Sequence, residues 1–422
     1  MMVSQEKIDF PTVNTNTYTH FINSEWKEVI KTGKKSLDAG IDFYYLQVRM
    51  GIAYYNQHKY RQAIPYLERS LAESIDNEYV TEYLYFAYLF SGRYNDAQKL
   101  SKKFSGEFLQ KAGIKGKNGI RGINIETKFE NRNDYKINVS LSDTLIQYVQ
   151  NDFSYFSVGL ESVFKNKSRL FLNYSRVAIT GTFEDLNTAG SPISGTQDIY
   201  QNQLYLGYVV NLTKGLNLLL SGNVLNIAVD KITDEQTSGF GGGYSSRIGS
   251  RTISNEFVAY AAIYQDISLF KIGAFASYSN LYKNLQIQPG LSLTFYPLGN
   301  ANLYTCSSLH YQVEKIDVNR YHTTIFKQAL GLGLWGLYIE PSITFGELSN
   351  FIEGDGFIVN NGNYLISDRK EIFAYTWLFK GKLNIYAKYQ NYTSINYYSI
   401  NSIINSNNVN HQTITGGIKW NF

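Results

Sequence analysis

From residue 119 onward the chain alternates apolar and polar residues with a period of two, over segments longer than ordinary soluble strands. Leu285-Gln-Ile-Gln-Pro-Gly-Leu-Ser-Leu-Thr-Phe-Tyr296 places Leu285, Ile287, Leu291, Leu293 and Phe295 on one face. Gln286, Gln288, Ser292 and Thr294 fall on the other. Phe156–Phe164, Leu337–Phe345, Leu383–Tyr389 and Ile414–Phe422 follow the same rule. A strand turns successive side chains to opposite faces, so each segment predicts a strand between two different media. This interleaving explains how 44% hydrophobic residues coexist with a mean hydropathy of −0.26. No run approaches the ~18 apolar residues that a membrane-spanning helix needs.

About fourteen such segments, twelve to sixteen by where boundaries are drawn, run from 119–130 to 408–421. The linkers at 165–167, 212–214, 267–268, 298–301, 335–336 and 380–381 are short. Between them lie long ones at 131–149, 181–196, 230–251, 350–365 and 396–407, with 283–284 and 317–319 as tight exceptions. Short turns alternating with long polar loops over an even number of strands are the plan of an outer-membrane barrel. Short turns then face the periplasm and long loops the outside. Trp335, Trp377 and Trp420 fall at short-turn ends, as an aromatic girdle at one interface requires. Terminal Phe422 shares a face with Trp420 and Ile418, the expected signal for barrel assembly. The inward polar set includes Glu161, Lys271, Gln286, Gln288, Thr294, Glu340, Lys388 and Lys419, with the bulky Tyr205, Tyr296, Tyr338 and Tyr386. Pro289 and Pro341 interrupt strands and predict local bulges. A soluble β-sandwich is the rival fold, disfavoured because such long strands with apolar outer faces would aggregate in water.

The first 118 residues differ. They are about 25% charged, against about 15% for the remainder. Met50–Ala63 and Leu84–Ala97 align at a spacing of 34, matching Ala53 with Ala87, Tyr54 with Tyr88, Tyr60 with Tyr94 and Ala63 with Ala97. That period, with Gly51 and alanines at close approaches and tyrosines between them, is the signature of tetratricopeptide repeats. Residues 24–38 predict one further helix, and 105–112 a capping one. Pro65 is expected near the start of a helix, where its missing N–H costs least. The resulting plan is an α + β chain. An extended segment spans 1–22, with Met1 to Ser4 as a possible leader remnant. A helical repeat domain spans 23–114, a linker 115–118 and the barrel 119–422.

Little suggests chemistry. Cys306 is the lone cysteine, which excludes a disulfide scaffold and a cysteine zinc site. A net charge of +4 argues for no nucleic acid. Among five histidines, His310 sits on one strand with Ser308 and Glu314, but residues in that line do not converge. Gly239–Gly243 reads as an external loop rather than a phosphate cradle. No catalytic, cofactor or metal residue is assigned.

The repeat pair over 45–104, followed by the alternating region ending in Phe422, resembles the two-part outer-membrane proteins of Bacteroidota that fuse a tetratricopeptide module to a barrel. It is also similar in plan to YaiO-type barrels and to exopolysaccharide-export porins, although those exporters carry many repeats and this chain about two and a half. The resemblance implies a non-catalytic barrel in contact with outer-membrane lipid. Its periplasmic repeat module would dock protein partners, with the extracellular loops as a second surface, in an assembly, insertion or secretion complex. The alternative is a porin or exporter with the repeats as its vestibule. A barrel hydrolase is a distant third.

Overall fold

The structure, a computed structural model, describes all residues except 1–7, 75–76, 112–118, 133–135, 138–144, 165–167, 187–192, 238–243 and 362–364. The leader remnant at Met1–Ser4, the linker 115–118 and the glycine loop Gly239–Gly243 therefore lie outside the described residues.

Seven α-helices precede the sheet among the described residues: α1 (Phe10–Ile22), α2 (Trp26–Asp38), α3 (Tyr44–Asn56), α4 (Tyr60–Glu73), α5 (Glu78–Phe90), α6 (Tyr94–Leu100) and α7 (Gly106–Lys111). The first corrects the expectation of an extended segment over 1–22. Asp9 caps α1 by accepting from the Thr12 N–H at 3.0 Å, and Pro11 sits in its opening turn. Consecutive helices pack on one another around one core that includes Leu46, Met50, Leu67, Val80 and Leu84. Gly51 allows the closest approach: a Cβ there would lie 2.6 Å from a Leu67 methyl. Pro65 is inside α4 rather than at its start, so the Arg61 carbonyl loses its i+4 donor.

The remaining elements are β1 (Gly119–Arg132), β2 (Leu145–Phe164), β3 (Ser168–Leu186), β4 (Ile193–Thr213), β5 (Leu216–Thr237), β6 (Tyr244–Ile267), β7 (Phe270–Ser279), β8 (Leu285–Phe295), β9 (Leu303–Ile316), β10 (Asn319–Leu334), β11 (Leu337–Phe345), β12 (Phe351–Glu353), β13 (Ile358–Asn360), β14 (Leu365–Leu378), β15 (Leu383–Ile400) and β16 (Ile403–Asn421). Fourteen of them form a closed antiparallel barrel, sealed where β1 pairs with β16, and β12 and β13 make a separate hairpin. Closure removes the unpaired edges that lipid would not tolerate. The outer face is apolar, with Leu204 and Leu206, Ile287 and Leu291, and Ile414 and Ile418 exposed along their strands. A closed barrel with that outer face is the build of an outer-membrane protein.

Three loop expectations are overturned. The intervals 181–196 and 230–251 are largely strand, because β3 to β6 run far past the lipid-facing stretch. Both faces meet water there, so apolar alternation no longer marks the strand. Likewise 396–407 is nearly all strand, with a tight turn at Asn401 and Ser402. The ladder between β6 and β7 begins only at Val258–Ser279, so among the described residues β6 from 244 to 255 is laddered on its β5 side alone, while Glu256 accepts from the Tyr282 N–H. Pro289 and Pro341 need no bulge. Each leaves a two-residue gap in one ladder, towards β9 and β10 respectively, while the register on either side continues unchanged.

Candidate functional site at the short-turn rim and in the lumen

The helices are fastened to the short-turn end of the barrel by buried polar groups. Arg61, in the first turn of α4, donates to Asp266 at 2.8 Å; the two side chains are 2% and 6% exposed. Its guanidinium lies 3.7 Å from the centre of the Tyr296 ring and also donates to the Ser268 carbonyl. Its backbone N–H bonds the Gly299 carbonyl at 2.8 Å, and Asn300 reaches the His58 carbonyl at 2.9 Å. From α6, Asp96 accepts from the Gly215 N–H and from Asn211, each at 3.1 Å, while Arg93 holds its other oxygen. Gly215 has φ +74°, and a Cβ there would lie 2.8 Å from the Asp266 carbonyl oxygen. Three successive short turns, β4–β5, β6–β7 and β8–β9, thus grip one helical body. Within it the Tyr88 hydroxyl donates to Glu68 at 2.5 Å; burial, with that carboxylate beside it, pushes the phenol well above its usual range. It stays a donor throughout physiological pH.

Of the repeat residues, Ala53, Ala63, Ala87 and Ala97 are buried, as are Tyr54 and Tyr88. Gly51 backs onto Leu67, and Tyr60 is half-buried against Tyr55 and Phe90. Tyr94 is not brought into that core; it is 55% exposed.

The loop expected outside the cell at 350–365 instead folds into the lumen as the β12–β13 hairpin. Phe351 and Ile352 are fully buried. Backbone inside a barrel needs partners, and lumen-facing side chains supply them. Gln286 donates to the Asn350 carbonyl, and Gln288 bonds both the carbonyl and the N–H of Ile352. Ser221 and Tyr205 donate to the Asp355 carbonyl, and Tyr264 donates to its carboxylate at 2.6 Å. The hairpin is also latched by charge: Arg369 donates to Glu353 at 2.7 Å, with Lys327 3.5 Å from the same carboxylate. Glu353-Gly-Asp-Gly356 makes its turn, with positive φ at both glycines. Of the other inward residues, Glu161 lies between Arg169 and Lys419, Lys271 over the Tyr264 ring, Glu340 accepts from Tyr304, and Lys388 lines a cavity. On the long-loop side of the hairpin this cavity is about 1180 Å³.

The three barrel tryptophans stand at one end but not on one face. Trp420 points outward beside Ile418. Trp335 caps the β10–β11 turn, fully exposed. Trp377 pairs with Asn384, which pairs with Lys419, so it belongs to the lumen-facing row. The expected girdle is corrected there: an odd number of steps separates Trp377 from outward Ile372. Phe422 donates its N–H to the Arg121 carbonyl at 2.9 Å and closes the seam. Deleting Phe422 is expected to leave only a minority of the protein in the folded form that resists unboiled denaturing electrophoresis; unchanged folding would remove its assembly role.

His310 does contact Ser308, at 3.2 Å, but its other ring nitrogen meets Gln288, while Glu314 bonds Asn284 and Asn350. A Ser–His–Glu relay forms elsewhere. The Ser394 hydroxyl and His411 Nε2 are 2.7 Å apart, and His411 Nδ1 is 2.6 Å from Glu130. Its members come from β15, β16 and β1, so no sequence window could display it. Ser394 is completely buried and the Tyr392 ring stacks on His411. No substrate atom reaches that hydroxyl, so the relay stitches the barrel seam. A fluorophosphonate probe is expected to leave the protein unlabelled; labelling lost in Ser394→Ala would reverse that assignment.

No family model matches the chain, and no curated protein matches it. Among solved structures it is similar to a Pseudomonas aeruginosa FadL homologue at 8% identity and TM-score 0.42, covering 72% of this chain and 90% of that one. It is also similar to the Pseudomonas putida toluene transporter TodX at 7% identity and TM-score 0.39, covering 71% and 90%. The translocator domain of the Neisseria meningitidis autotransporter NalP matches at 9% identity and TM-score 0.31, covering 80% and 100%.

Proposed function

We propose that the protein is a non-catalytic outer-membrane barrel that mounts a tetratricopeptide-type module on its periplasmic rim, in the manner of the Bacteroidota fusions it resembles. The module presents its outward face to protein partners. The observation that carries this reading is the buried clamp at Arg61–Asp266 and Asp96–Gly215. A loose vestibule has no use for desolvated polar contacts whose geometry fixes one orientation. The side away from the rim keeps large aromatics exposed, including Tyr18, Tyr45 and Tyr79, residue types enriched where proteins meet. A photo-crosslinking residue at Tyr45 or Tyr79, activated in living cells, should yield discrete protein adducts that a lipid-face control at Leu206 does not. Absence of adducts from every helical position would defeat the scaffold.

A gated conduit is the second reading, favoured by the cavity above the hairpin. It makes the hairpin a gate rather than a fixed plug.

A further inference from the structure

We propose that the turn between α1 and α2 rests on the phospholipid headgroups of the periplasmic leaflet, just outside the barrel wall. This goes beyond the docking reading and needs only that the barrel lies in a membrane. Its basis is a third copy of a turn that twice meets the rim. Ser24, His58 and Gly92 have φ of +57°, +58° and +81°, and follow one another at a spacing of 34. The next N–H reaches back five residues each time: Glu25 to the His20 carbonyl, Lys59 to Tyr54 and Arg93 to Tyr88. Val29, Ala63 and Ala97, at the same place in the helix that follows, are all buried. The α1–α2 pair therefore repeats α3–α4 and α5–α6, and the three turns share one edge of the stack.

Two of these turns stand on the barrel. Asn300 of the β8–β9 turn donates to the His58 carbonyl, and the Arg61 N–H bonds Gly299 beside it. Just past Gly92, Asp96 holds Gly215 on the β4–β5 turn. One step along the stack thus follows the wall from β4–β5 past β6–β7 to β8–β9. A further step in that line leaves the ring, because a closed barrel curves away beneath a short stack of helices. The next short turn, β10–β11, does not receive it. Trp335 there is fully exposed, and a Cβ at Gly336 would meet nothing within 4 Å among the described residues. The barrel mouth lies under the opposite end of the stack, where Tyr85 of α5 is near Arg121 of β1. Among the described residues, the bonds printed for Ile22 to Glu28 stay within α1, α2 and their turn.

The side chains suit the headgroup layer that surrounds a barrel at this height. Lys27 stands where Arg61 stands in the next pair, and Glu28 where Asp96 stands in the last. Ile22 is 59% exposed at the tip. Trp26 is half-buried, its ring edge-on to Phe21 at 5.6 Å. Trp is favoured at headgroup depth, and an exposed aliphatic side chain gains by leaving water for the interface. Beside the turn opens a cleft of about 320 Å³, lined by residues 24–28 and Gln57. It brings Lys27 together with Glu25 and Glu28, the charges that match the phosphate and ammonium of a zwitterionic headgroup.

The test uses the full chain with Cys306→Ala and one introduced cysteine carrying the fluorophore NBD, in phosphatidylcholine nanodiscs. At Ile22→Cys the emission should be blue-shifted and quenched by doxyl-labelled lipid. At Ala39→Cys, about 20 Å away along the thirteen residues of α2, it should be neither. The contact should persist in high salt, since apolar insertion holds it. Ile22→Asp should speed amide exchange in α1 and α2 about tenfold in nanodiscs, ~1.4 kcal/mol, and leave it unchanged in amphipol. Unboiled electrophoresis confirms that each variant folds. Water-like emission at position 22, equal quenching at both positions, or loss of the contact in salt would overturn the proposal. Exchange indifferent to Ile22→Asp in nanodiscs would do the same. A photo-crosslinker at position 22 that captures protein and no lipid would assign the turn to a protein partner instead.

Discussion

Asp266→Ala is expected to loosen the helical body from the barrel by about 3–5 kcal/mol, the usual cost of leaving a buried charge without its partner. Arg61 is 2% exposed on its side chain and has no other carboxylate within ion-pair reach among the described residues. It would have to stay desolvated and unmatched, or pull α4 away from the rim. Pulling away would also break the Gly299 and His58 backbone contacts. Hydrogen exchange on the detergent-solubilised protein should show faster exchange at the start of α4 and at turn 296–302, with barrel strands unchanged. Arg61→Met together with Asp266→Ala should be less damaging than Asp266→Ala alone, since no charge is then left buried. Equal protection in all variants would mean that the clamp does not hold the domain.

The second large effect concerns the hairpin. In planar bilayers the intact protein should pass little or no ion current, because the hairpin and the tyrosines that grip Asp355 fill the lumen. Replacing residues 349–361 with a short glycine–serine link should produce stable open-channel conductance. Glu353→Gln alone should give brief openings, since Arg369 and Lys327 lose their shared carboxylate while the backbone bonds to Gln286 and Gln288 remain. A deletion variant as silent as the parent would show that the helical body, not the hairpin, closes the barrel.

What could be read from the sequence follows from where period carries information. Strands in contact with lipid alternate because their two sides face hydrocarbon and water, so segments such as Leu285–Phe295 declare themselves. The upper parts of β4 to β6 face water on both sides, and no pattern distinguishes them from loop. The two helix pairs spanning Met50–Ala97 are visible because Gly51, Ala53 and Ala87 must be small wherever helices touch. α1 lacks such a constraint, and its Asp9-Phe-Pro11 start is a signal that an emphasis on repeats passes over. The inward fold of the hairpin is a tertiary fact. Gln286 and Gln288 look like generic lumen residues until Asn350 and Ile352 lie against them. Arg61, Asp266 and the Ser394–His411–Glu130 relay escape notice for the same reason, as their partners lie up to 281 positions away.

The unequal heights of β6 and β7 carry a consequence for the long-strand end of the barrel. β6 has 24 residues and β7 has 10, so above the Glu256–Tyr282 contact β6 has, among the described residues, no ladder partner on its β7 side. Such a margin is a template onto which a strand from another molecule can add. This one carries Arg247 and Arg251 among serines and Gly249. Charge and weak strand formers oppose fibre-like association between neighbouring copies. The tall side of the barrel thus remains a smooth parapet in a crowded membrane.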